Sequence, residues 1–202
     1  MKRFCVTLIV ISLIVLFFVN QSHAISQLTQ LDHKSFGGRA EQIAAKLGTN
    51  VDTFFVSVGT EILVYAVNHS NPSNPTELTS LKISVNYYKI NAIATNPNNS
   101  LILIAVGGLL SIRDYKTQTE YSALGTGQVK SVIFNNIGNK AFATDGSMVW
   151  IIDLTNPSSP VCNYMTLSNY AINSLAFKGS GGQDTLFTAG NGYKGLRGVS
   201  KT

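Results

Sequence analysis

The chain is 202 residues long, carries a formal net charge of +5, and has charged side chains at only 12% of its positions. That length suits one domain or one short repeat array. The basic residues are scattered and build neither a stripe nor a run, which argues against a nucleic-acid partner.

The first predicted element is an export signal. Met1-Lys2-Arg3 is a short positive region, Cys5 to Val19 is a nearly unbroken apolar stretch, and Ser22-His23-Ala24 places small residues at the −3 and −1 positions of a cleavage site. A retained membrane anchor needs about 20 apolar residues. The expectation is therefore cleavage after Ala24 (signal peptide 1–24, mature chain 25–202) and a secreted, periplasmic or cell-surface protein without membrane contact. Cys162 is then the only cysteine, so no internal disulfide forms. It reads as a buried, inert thiol, with a reactive or intermolecularly paired thiol as the alternative. Asn68-His-Ser and Asn98-Asn-Ser fit the glycosylation acceptor pattern, which matters only in a eukaryotic secretory pathway.

After the signal, Ile25–Leu31 is an imperfect strand. Arg39–Leu47, "RAEQIAAKL", is Ala-rich and favours a helix, yet it stands where the first strand of a repeat belongs. Thr53–Val58 and Glu61–Val67 read as the second and third strands of that repeat, and Glu77–Ile83 as the fourth. The pattern then recurs. Ile90–Ala94, Val129–Phe134 and Ile172–Phe177 are versions of one strand, spaced 39 and 43 residues apart. Second strands follow at Leu101–Val106, Lys140–Thr144 and Thr185–Ala189. Third strands follow at Leu109–Tyr115, Met148–Leu154 and Lys194–Val199. More polar fourth strands lie at Glu120–Leu124 and Val161–Leu167. Four short strands in a period near 40 residues predict an all-β fold of β-propeller repeats. The approximate blades are 39–83, 90–124, 129–167 and 172–202. The array is either a closed four-bladed ring, completed by the N-terminal strand, or a truncated part of a larger propeller. An open array exposes sheet edges and favours self-association.

Four of the five prolines lie in two related stretches, "LVYAVNHSNPSNP" at Leu63–Pro75 and "WIIDLTNPSSP" at Trp150–Pro160. Asn before Pro starts a turn, and Pro ends a strand by removing a backbone donor. The aspartates closing the third strands, Asp114 and Asp153, are expected to bond nearby backbone amides. Val149-Trp-Ile-Ile-Asp153 with its Asn-Pro-Ser-Ser-Pro turn resembles the LVIVD repeat of secreted bacterial β-propeller proteins. Leu110–Asp114 is similar without the prolines, and Ile62–Ala66 keeps "NPSNP" but has Ala in place of Asp. The same pieces are similar to WD40 blades, although the Trp-Asp and Gly-His pairs are missing. The resemblance covers roughly residues 53–199 and implies the fold alone, since propellers host unrelated functions.

Chemistry-bearing motifs are sparse. Gly190–Gly195 fits G-x-G-x-x-G, but no crossover helix and no acidic partner follow, so it reads as a hairpin turn. His33 and His69 are the only histidines after the signal, and no zinc spacing exists. Asp145-Gly146 is a hairpin signal. No catalytic residue, metal site or cofactor is assigned. The best reading is a binding or scaffold module for a protein or small ligand. Its contact surface is formed by the loops before the first strands: Tyr87, Tyr88, Lys89, Gln128, Lys130, Asn169, Tyr170 and Asn173. Tyr is suited to such a surface, pairing contact area with a hydroxyl, and Asn163-Tyr164 also lies near these loops. The alternatives are an exported propeller hydrolase or lyase with its site in the central channel, and a non-functional fragment of a longer propeller gene.

Overall fold

The structure, a computed structural model, describes residues 39–79, 83–84, 88–166, 171–180, 183–191 and 197–200. The expected signal peptide, Ile25–Leu31, Asp32-His33, Tyr87, Asn169 and Tyr170 lie outside these residues.

The described chain is all-β and forms four antiparallel sheets. Sheet 1 holds β1 (Ala40–Lys46), β2 (Val51–Val58), β3 (Glu61–Asn68), β4 (Asn71–Glu77) and the short β5 (Ile83–Ser84). Sheet 2 is β6 (Ile90–Thr95), β7 (Leu101–Val106), β8 (Leu109–Asp114) and β9 (Glu120–Gly125). Sheet 3 is β10 (Ser131–Phe134), β11 (Lys140–Thr144), β12 (Met148–Asp153) and β13 (Val161–Thr166). Sheet 4 is β14 (Ala171–Ser180), β15 (Gln183–Asn191) and β16 (Arg197–Ser200). Within sheets 2, 3 and 4 each strand pairs with the next in sequence. The sheets meet in sequence order through their first strands, β1 on β6, β6 on β10 and β10 on β14.

Period-two alternation explains why the sheets stack. In β7, Ile102 and Ile104 face Phe55, Ile62 and Val64 of sheet 1. The alternate residues Leu101, Leu103 and Ala105 face Val132, Trp150 and Ile152 of sheet 3. Sheet 3 divides in the same way. Ala141 and Ala143 point to sheet 2, while Phe142 and Val149 pack with Ile172, Leu175 and Leu186 of sheet 4. A strand buried on both faces reads as a continuous apolar run, which is what "LILIAV" is. Each fully buried Ile or Leu contributes roughly 1.5–3 kcal/mol. Small residues (Ala92, Ala94, Ala141, Ala143) facing Phe134 and Trp150 let backbones approach while the aromatics fill the gap.

Two placements differ from the sequence reading. The fourth strand of the first repeat is Asn71–Glu77 with Ile83–Ser84 beyond it, both paired to β3, rather than Glu77–Ile83. Pro72 and Pro75 thus lie inside a strand. They are tolerated because β4 is an edge strand, and the register slips between Ala66 and Asn68. Cys162 is exposed, not buried, because β13 is the outer strand of sheet 3 and has only β12 as a partner. Partial burial of the sulfur still raises its pKa, so it is not an activated thiolate. Of the expected last third strand, Lys194–Val199, the described part lies in β16, Arg197–Ser200, and residues 192–196 lie outside the described residues. Arg39–Leu47, by contrast, does form the first strand despite its helical composition. A full register from Ala40↔Val58 to Lys46↔Thr53 supplies the backbone partners that a helix would have satisfied internally.

Candidate functional site

The antiparallel order gives every sheet two ends. At one, here called the rim, the first strands begin and the second strands turn into the third. At the other, the tied end, the first strands turn into the second.

The rim is built by one repeated local device. Ala40↔Val58 is followed by Gln42↔Ser57, Ile90↔Val106 by Ala92↔Ala105, and Ile172↔Gly190 by Ser174↔Ala189. Glu41, Asn91 and Asn173 are the extra residues, each a β-bulge. Such bulges re-aim a side chain at the edge of a sheet. In sheet 3 the matching position is Lys130, just before β10, whose N–H donates to the Thr144 carbonyl at 2.7 Å. In sheets 2, 3 and 4 the polar residue follows a buried anchor, Ile90, Val129 or Ile172, whereas in sheet 1 Glu41 follows the exposed Ala40. Two anchor amides donate to the hairpin turn of the preceding sheet, Ile90 to Gly59 O (3.4 Å) and Ile172 to Gly146 O (2.8 Å). The unit reads polar, apolar anchor, polar in sheets 2 and 3 (Lys89-Ile90-Asn91 and Gln128-Val129-Lys130); in sheet 4 Ala171 precedes the anchor.

Of the eight expected surface residues, five are described. Tyr88 is exposed at 59%, and its ring covers the Gly107 turn of its own sheet. A Cβ at Gly107 would stand 2.5 Å from Tyr88 Cγ, and φ there is +54°, so both space and backbone demand glycine. Lys89 reaches across to sheet 1 and pairs with Glu41 at 2.7 Å. Lys130 rests its ammonium against Gly146, where a Cβ would lie 2.6 Å from Nζ. Gln128 and Asn173 are exposed. The described structure does not bring all five into one cluster; it distributes them along consecutive sheets. Tyr164, grouped with the first-strand loops by sequence, is instead on outer strand β13 opposite Trp150. Sequence reasoning missed Arg39, Glu41 and Asn91. The missed signal was the repeat register itself, since "RAEQ", "KINA", "QVKS" and "AINS" align on their anchors.

Between the starts of β1 and β6 the two bulges open a groove of about 270 Å³, lined by Arg39, Glu41, Gln42, Lys89 and Asn91 with Ala40 and Ile90. Two cations and one anion line it, and one cation is already paired.

The tied end is chemically different. Lys46 Nζ donates to the carbonyls of Asn96 (3.0 Å), Pro97 (3.3 Å) and Asn99. Burial, then the nearby Lys116 charge, lower its pKa. Asn96, fully buried, donates to Gly138 O at 2.6 Å and accepts from the amides of Asn98 and Asn99. Asn98 donates to Ile137 O at 2.8 Å, and Asn136 to Gly179 O at 3.2 Å. The third-strand aspartates act as expected: Asp114 accepts from Lys116 N and Thr117 N, and Asp153 from Thr155 N. For Asp114, burial raises the pKa, but the Ser100 hydroxyl and the two backbone amides together hold it below the ordinary value. His69 pairs with Asp52 at 3.1 Å, while the neighbouring Ser70 hydroxyl donates to Asn68 Oδ1 at 2.8 Å. A second groove of about 320 Å³, walled by Ala44, Ile93, Ile133 and Phe134 among others, runs along the first strands at this end.

Among the described residues no three His, Cys, Asp or Glu side chains converge. No protein-family model matches the chain, and no relative is found among curated proteins.

Proposed function

We propose that this chain is an exported repeat protein of β-propeller type, similar to LVIVD-repeat proteins, that binds a partner at the rim. The observation that carries this reading is the repeated start of the first strand: a polar residue follows a buried anchor in sheets 2, 3 and 4, and it stands on a β-bulge in sheets 2 and 4. A repeated surface of exposed amides and charges on rigid strand starts is suited to recognition. The propeller assignment draws support from the meander order of sheets 2 to 4 and from sheet contacts made chiefly through the first strands. The bound surface centres on Tyr88, Lys89, Gln128, Lys130 and Asn173, joined by Arg39, Glu41 and Asn91.

The test is capture of cell-surface material by the immobilised protein. Alanine at Tyr88, Lys89 and Lys130 together should abolish capture while the unfolding midpoint stays unchanged. Undiminished capture by that folded variant rejects the rim as the binding face.

A further inference from the structure

We propose that the groove between β1 and β6 takes a sugar carboxylate, one hexuronate unit of an acidic glycan. The inference rests on the rim being the binding face and names the ligand of its first groove.

Size is the first argument. At about 270 Å³ the groove lies just below the roughly 300–1,000 Å³ that drug-sized ligands occupy, so one ring enters rather than an extended chain. Charge is the second. Glu41 is the only anion in the lining and is matched by Lys89 at 2.7 Å. Arg39 is exposed and has no ion pair among the described residues, so the groove carries one unmatched positive charge. A guanidinium binds a carboxylate through two parallel hydrogen bonds. Hydrogen-bonding type is the third. The side chains of Gln42 and Asn91 each offer two donors and an acceptor, which matches vicinal hydroxyls that both give and accept. The paired Glu41 and Lys89 add a fixed acceptor and donor beside them. A phosphate ligand fits less well, because the described lining of the groove holds no glycine and no second unpaired cation. An acidic peptide fits less well, because the only apolar lining is Ala40 and the buried Ile90. Tyr88, next to Lys89 in sequence, presents an exposed ring held over Gly107 on which an adjoining sugar can stack.

The experiment is calorimetric titration of the purified protein with a short glucuronate oligomer, a glucose oligomer of equal length and a glutamate-rich peptide. The proposal expects the glucuronate oligomer to bind at least about tenfold more tightly than either control, the size of one charge-assisted contact. Arg39→Gln and Asn91→Ala should each weaken it, Arg39→Gln by about tenfold, and added salt should weaken it further. Equal affinity for glucose and glucuronate, equal affinity for the peptide, or full affinity in the folded Arg39→Gln variant overturns the proposal. If no oligomer binds while capture at the rim persists, the uronate assignment fails and the binding-face reading stands. Loss of both rejects both.

Discussion

The two ends of the sheets use the same residue types in opposite ways. At the tied end, asparagine amides and the Lys46 ammonium are consumed by backbone carbonyls of the neighbouring sheet. At the rim, Asn91 and Asn173 stand on bulges and Gln128 and Lys130 hold the matching positions before β10, with Gln128, Lys130 and Asn173 exposed and Asn91 half-exposed. The difference is the ground for proposing recognition at the rim. Polar groups spent inside the fold specify how sheets join, whereas polar groups held out on rigid strand starts remain to meet something else.

The comparison breaks most visibly at paired asparagines. Asn96→Ala removes the bond to Gly138 and leaves turn amides unmet in a buried place, so a loss of about 2–4 kcal/mol is expected. Asn91→Ala should cost under about 0.5 kcal/mol. Urea unfolding of both variants decides this, and equal losses would erase the distinction between the ends. Lysines give the next largest contrast. Lys46→Met should cost about 1–2 kcal/mol through three orphaned carbonyls, whereas Lys89→Met, losing an exposed pair with Glu41, should cost at most about 0.5 kcal/mol. Midpoints measured in low and high salt check both, because only the exposed pair is well screened.

Near the rim the fold also holds an orphan. The Thr126 hydroxyl is buried without a hydrogen-bond partner among the described residues. Thr126→Val should stabilise by up to about 1 kcal/mol, since removing an unmet polar group relieves its desolvation cost. A fall in the thermal midpoint would reveal a partner for that hydroxyl.

The smallest expected effect is on pH dependence. The folded pKa of Asp114 is depressed, so its contribution to stability is present above the unfolded value near about 4 and is lost as pH falls through the folded value. Asp114→Asn should therefore flatten the acid limb of the stability profile below about pH 4 and leave its slope near neutrality unchanged. An unaltered acid limb in that variant contradicts the turn bonds assigned to Asp114.

Much of this architecture was legible in the sequence. Leu101–Val106 and Lys140–Thr144 were readable as strands because both their faces are buried, which leaves unbroken apolar runs or runs of small residues. Asp114 and Asp153 were readable as strand ends because a carboxylate that accepts from the backbone amides just after it belongs at a turn. The prolines misled at Asn71–Glu77, since an edge strand has a side on which a missing N–H is harmless, and sequence does not say which strand is the edge. Cys162 misled for the same reason. The bulges at Glu41, Asn91 and Asn173 were hidden because one extra residue leaves composition unchanged; only the pairing register shows it. Thus the tied end was half visible as Asn-rich turns, while the groove by Arg39 was not.

The central claim, that the rim meets a partner and the tied end does not, is tested most directly by photo-cross-linking. A benzophenone side chain is placed at Gln128 on the rim or at Ile137 on the tied end, both exposed, and the cells producing the protein are irradiated. The account predicts a discrete adduct from position 128, lost when Lys89 and Lys130 are replaced by alanine, and none from position 137. Adducts from position 137 alone, or equally from both, would contradict it.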